Sequence, residues 1–184
     1  MLAPYLAVAI FWLGFSNAWL TILAYHAQIL LWSRRGDGFS WKPVHKEQLL
    51  LAFPTLLTGP LTYFILPFFL KPSLSEWLSA YHLSETAFLL MIPYYGIVHP
   101  ILEQMHWEPL RRATSWAHPA FAAYHMLVLL TLLKAPWLLL CFAILTASSF
   151  VWREMARQSQ SLTVPIVSHI LADFGMILAA WFLR

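Results

Sequence analysis

Hydrophobic residues run along the chain in long uncharged blocks, separated by short clusters of polar and charged positions. A helix rising about 1.5 Å per residue needs about 20 mostly apolar residues to cross the hydrocarbon of a bilayer. Six blocks approach that length, at approximately 5–32, 49–70, 86–110, 117–133, 136–152 and 162–182, and a short amphipathic stretch at 73–84 lies between the second and third. No charge appears from Met1 to Ser33, a run longer than the apolar core of a cleavable signal peptide, so the first block reads as a retained transmembrane helix. Pro54, Pro60 and Pro67 in the second block and Pro93, Pro100 and Pro109 in the third interrupt the backbone ladder. The third span should therefore be kinked or broken. The expected fold is all-α: a polytopic membrane protein of about six transmembrane helices, with a kinked third helix and a short interfacial helix, forming one membrane domain over 1–184.

Composition agrees with that pattern. Of 184 residues, 60% are hydrophobic and only 10% charged, and the mean hydropathy is +0.66. Soluble domains carry roughly 25% charged residues, so a water-soluble globule is excluded and the bilayer becomes the expected surroundings. The net charge of +3 comes from basic residues scattered singly or in pairs, which leaves no footprint for nucleic acid. Cys141 is the single cysteine, so no intrachain disulfide can form.

Basic loops stay in the cytoplasm. With the N-terminus outside, Arg34, Arg35, Lys42, Lys46, Arg111, Arg112, Arg153 and Arg157 fall inside and Lys71, Lys134 and Arg184 outside, eight against three. The expectation is an integral protein of a bacterial inner (plasma) membrane with both termini on the outer face. Trp32, Trp41, Trp77, Trp137, Trp152 and Trp181 are expected to form the interfacial aromatic belt.

Ionisable groups within bilayer spans are costly and mark functional candidates. Glu103 precedes Arg111 by eight residues, His125 follows Arg112 by thirteen and His169 follows Arg157 by twelve, with Asp173 four further on. Three helices thus present acid or imidazole at similar depth below one face. His169 and Asp173 share a helix face at a spacing of four, as do Phe121 and His125, and His99 and His106 lie on the face of Glu103.

Glu103-Gln104-Met105-His106-Trp107 resembles the first motif, EExxxR or EExxWRG, of the CPBP family of intramembrane proteases, which includes CAAX prenyl proteases and bacteriocin-processing (Abi-type) enzymes. Phe121-Ala-Ala-Tyr-His125 is similar to the second motif, FxxxH, and His169-Ile-Leu-Ala-Asp173 to a final HxxxN or HxxxD. The resemblance covers about residues 86–182, the expected catalytic part. It departs from the family at Gln104, which replaces the second Glu, at Glu108, which stands in the usual Arg position, and at Pro109, which replaces Gly. A divergent member is implied.

What the resemblance implies is hydrolysis of a peptide bond in a membrane-associated substrate. Glu103 would act as the base toward a water that His125 helps to hold, and His169 would donate to the oxyanion. Asp173 stands where the family's Asn donates a hydrogen bond, and two outcomes are open. Either a protonated Asp173 donates, or an ionised Asp173 one turn from His169 supports an imidazolium. Gln104, His106 and Phe121 are expected in support, and no cofactor is required.

The same residue types allow a second reading. Glu103, His106, His125, His169 and Asp173 supply nitrogen and oxygen donors suited to zinc or iron, which would make the chain a metal-dependent membrane enzyme. A third reading is a non-catalytic subunit that packs through its aromatics against a larger membrane complex.

Overall fold

A computed structural model describes residues 1–33 and 42–184. Arg34, Arg35 and Trp41 lie outside the described residues. Those described are helical, with no strand beyond one isolated bridge between Leu70 and Leu133. We number the helices α1 (Leu2–Gly14), α2 (Ala18–Ser33), α3 (Lys46–Phe69), α4 (Leu74–Ala80), α5 (Glu85–Ala113), α6 (Ala117–Leu129), α7 (Ala135–Ser159) and α8 (Thr163–Leu183). Four of them, α3, α5, α7 and α8, are long and apolar enough to cross a membrane.

The first expected span is not one helix. Residues 5–32 fold as a hairpin in which α1 and α2 run antiparallel, and the Gln28 side chain donates to the Ala3 carbonyl at 3.2 Å. The turn is written in the polar pair that interrupts the apolar run. Ser16 takes a left-handed backbone at φ 49°, and Asn17 caps α2 by accepting from the Leu20 amide at 2.9 Å. Each arm is shorter than the roughly 20 residues a crossing helix needs. The block at 117–133 is likewise cut short: α6 ends at Leu129, the chain turns through Leu130–Lys134, and the Lys134 amide donates to the Phe69 carbonyl at 3.0 Å.

The hairpin also corrects the placement of the termini. The Tyr5 hydroxyl donates to the Ala120 carbonyl at 2.7 Å, next to the α5–α6 turn, whereas Arg184 reaches Glu85 at the start of α5 at 3.1 Å. The ends of the chain therefore lie at opposite ends of the bundle, not on one face as expected.

Prolines shape two long helices. α3 winds as a 3-10 helix over Leu50–Leu57, around Pro54, before becoming regular. α5 is continuous, and its irregularity is a π-helical turn at Tyr94–Val98, immediately after Pro93. The expected interfacial segment at 73–84 contains α4, opened by a reciprocal cap in which Ser73 and Glu76 each accept from the other's amide at 3.3 and 3.2 Å. α4 buries Leu74 and Leu78, and Trp12 of α1 stacks on Tyr81 at 3.9 Å.

α8 is the central helix, in contact with α3, α5 and α7. It meets α3 at a pair of glycines: a methyl added at Gly59 would stand 3.0 Å from the Gly175 Cα. Backbones come that close only where both residues lack a side chain. This approach and the π turn of α5 bring the inward faces of α5, α6 and α8 together.

Candidate active site

Glu103 sits on α5 with no exposed surface, and residues of four helices surround its carboxylate. Oε1 accepts from the hydroxyl of Tyr25 on α2 at 3.2 Å and from the hydroxyl of Tyr124 on α6. Oε2 has no hydrogen bond; His99 Nε2, one turn earlier on α5, and His169 Nε2 of α8 stand 3.6 and 3.7 Å from it. One oxygen thus accepts from two phenols, and the other makes no hydrogen bond.

His125 reaches the carboxylate through a relay. Its Nδ1 donates to the Phe121 carbonyl at 2.8 Å, which places Nε2 3.0 Å from the Tyr124 hydroxyl that also serves Glu103. Phe121 thereby anchors His125 through its backbone, while its buried ring meets those of Trp107, His125, Trp152 and His169.

His169 is buried against the Trp152 indole, stacked at 4.1 Å. Its Nε2 lies 3.3 Å from Asp173 Oδ2, within ion-pair distance, yet that oxygen makes no hydrogen bond by angle and distance together. Its Nδ1 lies 3.1 Å from Gln104 Nε2, and Gln104 Oε1 accepts from Arg111 Nη1 at 2.7 Å. Arg111 also donates to Ser149 of α7 at 2.9 Å and stands over the Phe121 ring at 5.2 Å.

Comparison of the chain with models of known protein families, with curated proteins and with solved structures finds no match. The site is therefore described by its own geometry.

Glu103, Gln104, Phe121, His125, His169 and Asp173 come together from α5, α6 and α8. His106 does not join them. Its ring packs edge-on against Tyr25 and Trp107, and its Nε2 is buried without a hydrogen bond. His99, one turn on the other side, takes that place. Of the described residues, the group whose ligand atoms lie within 4.8 Å of one another is His99, Glu103 and His125, so these could hold a metal ion rather than the expected set containing His106.

Two further corrections concern extent. The site is not confined to 86–182, since Tyr25 bonds Glu103 and His26 Nε2 bonds His99 Nδ1 at 3.0 Å, both from α2 packed on α5. Trp152 is a buried wall of the site rather than a belt residue. Glu108 ties α5 to α7: it accepts from Arg112 at 3.0 Å and faces Arg153 of α7 at 3.3 Å.

Tyr25, Tyr124 and Arg111 escaped the sequence reading. Arg111 could have been found, because a spacing of seven puts it on the Gln104 face of the same helix. Tyr124 adjoins His125, but adjacency does not place two side chains on one helix face, and nothing near Tyr25 in sequence points to Glu103.

Proposed function

We propose that the chain is an intramembrane peptidase of the CPBP type that hydrolyses a peptide bond of a membrane-associated substrate. The observation that carries this reading is the free oxygen of Glu103: Oε2 is buried, without a hydrogen bond, and faces His169 from another helix while Oε1 is fixed by Tyr25 and Tyr124. A base with one committed and one open oxygen is held in a single orientation.

In this mechanism Glu103 Oε2 takes a proton from water as the water oxygen bonds to the substrate carbonyl carbon. His125, anchored at Nδ1, helps to hold that water. The carbonyl oxygen becomes an oxyanion that accepts from His169 Nε2–H beside Asp173. The C–N bond then breaks, and the proton on Glu103 passes to the leaving amine. Gln104 and Phe121 hold the two imidazoles. We place the protein in a bacterial plasma membrane with Lys42, Lys46, Arg111, Arg112, Arg153 and Arg157 on the cytoplasmic side, so that the N-terminal hairpin enters from that side, α3, α5, α7 and α8 span, the shorter α6 together with the turn at Leu130–Lys134 returns the chain to the start of α7, and Arg184 lies outside.

The test needs no known substrate. Membranes of cells producing the native chain or Glu103→Gln are compared for new protein N-termini by mass spectrometry. Cleavages that depend on Glu103 are expected; identical sets of termini overturn the reading.

One arrangement favours a second reading. In metal sites the ligating imidazole gives its other nitrogen to a backbone carbonyl or a neighbouring side chain, as His125 does to Phe121 and His99 to His26. With Glu103 these would hold zinc or iron. Metal analysis of the purified protein tests it: stoichiometric metal, lost in His99→Ala, is expected of this reading, and metal at background level rejects it.

A further inference from the structure

Hydrogen-bond direction around His169 can be read without knowing where its protons are. Arg111 carries only donors, so the Gln104 atom 2.7 Å from Arg111 Nη1 must be the amide oxygen. The other end of that amide, 3.1 Å from His169 Nδ1, is therefore the NH2 group, which can only donate. His169 Nδ1 then accepts, and the proton of the neutral ring sits on Nε2, the nitrogen 3.3 Å from Asp173 Oδ2 and 3.7 Å from Glu103 Oε2.

We propose that Gln104, held by Arg111, fixes the polarity of His169 with an NH2 donor on its Nδ1 side, so that the ring carries Nε2–H toward Asp173 Oδ2 and the open oxygen of Glu103. A carboxylate at position 104 can only accept and would draw a proton onto Nδ1, whereas an amide at position 173 can turn its oxygen to Nε2–H and keep the native polarity, in a site where Gln104 has no exposed surface and Asp173 is 4% exposed. The geometry also bears on one of the two roles open to Asp173: an imidazolium would aim Nδ1–H at the Gln104 NH2, so the ring beside Asp173 is neutral and Asp173 does not serve as the partner of an imidazolium. Gln104 and Arg111 are positioning residues, acting through His169. The catalytic meaning of this polarity rests on the peptidase reading. The polarity itself does not, and its test uses no substrate.

The full chain is prepared in detergent micelles with 15N-labelled histidine rings, and the His169 signals are assigned by their absence from His169→Gln. The native protein is expected to carry the His169 proton on Nε2, and Gln104→Glu to carry one on Nδ1. A native ring protonated at Nδ1, or Nδ1 unprotonated in Gln104→Glu, overturns the proposal. Asp173→Asn supplies a second variant: its amide oxygen can face Nε2–H as the carboxylate does, so the His169 proton is expected to stay on Nε2, and a shift of that proton to Nδ1 overturns the proposal. Should Gln104→Glu fail to fold, the native and Asp173→Asn spectra decide.

Discussion

Tyr25 gives its only hydroxyl proton to Glu103 Oε1 at 3.2 Å, because its oxygen is already the acceptor for Trp107 Nε1–H at 2.9 Å. Removing that hydroxyl therefore strips a donor from the carboxylate and an acceptor from a buried indole. Each buried group left unpaired costs roughly 1–3 kcal/mol. Tyr25→Phe is expected to lower Tm by roughly 3–10 °C at this chain length. Tyr5→Phe, which frees only the Ala120 carbonyl, should lose clearly less. Equal losses in differential scanning measurements would remove the special position of Tyr25.

The Gly59–Gly175 crossing gives a steric prediction. Gly59→Ala places a methyl 3.0 Å from the Gly175 Cα, where only backbone can yield, and overpacking of this kind costs roughly 1–3 kcal/mol. Gly14→Ala meets its nearest neighbour, the Ala9 carbonyl, at an ordinary 3.5 Å. Denaturation of both variants should show the loss at Gly59 alone. A stable Gly59→Ala would mean that α3 and α8 do not meet at this crossing.

Glu108 separates a local ion pair from a bridging one. Arg112 is its neighbour one turn on and is 61% exposed, while Arg153 comes from α7 and is 30% exposed. Exposed pairs within one helix contribute roughly 0.3–0.5 kcal/mol. Arg112→Ala should therefore be nearly silent and Arg153→Ala should cost about 1 kcal/mol. The reverse order in a stability assay would rule out Arg153 as the tie between α5 and α7.

The hairpin predicts opposite sides for the chain ends. In a Cys141→Ser background, Leu2→Cys and Arg184→Cys are expected to react with a membrane-impermeant maleimide from opposite faces of oriented vesicles. Reaction from the same face would restore a single crossing helix over 5–32.

Much of the site was legible because helix periodicity carries it. Spacings of four placed His169 with Asp173 and Phe121 with His125, and distance from the basic clusters set a common depth. What periodicity cannot supply is rotation of one helix against another, so His99 and His106 looked equivalent beside Glu103 until packing set His99 between His26 of α2 and His169 of α8 and set His106 against Tyr25 and Trp107. Hydropathy likewise located apolar blocks but not turns within them. Ser16 and Asn17 are two polar residues in a run without charge, too small a signal for a window of 20.

The wide turn at Tyr94–Val98 sets the angular phase of everything after it on α5. A π turn holds about one residue more than the α-helix it interrupts, which rotates the following side chains by about 100° about the axis. Gly96 lies in that turn against Phe174, where a methyl would stand 2.5 Å from the ring, so the bulge is seated on α8 next to Asp173. Deleting one residue there would let α5 wind evenly, yet it would swing His99 and Glu103 out of line with His169. The alignment of His99 and Glu103 with His169 depends on a deliberate irregularity in the winding, immediately before the first residue it serves.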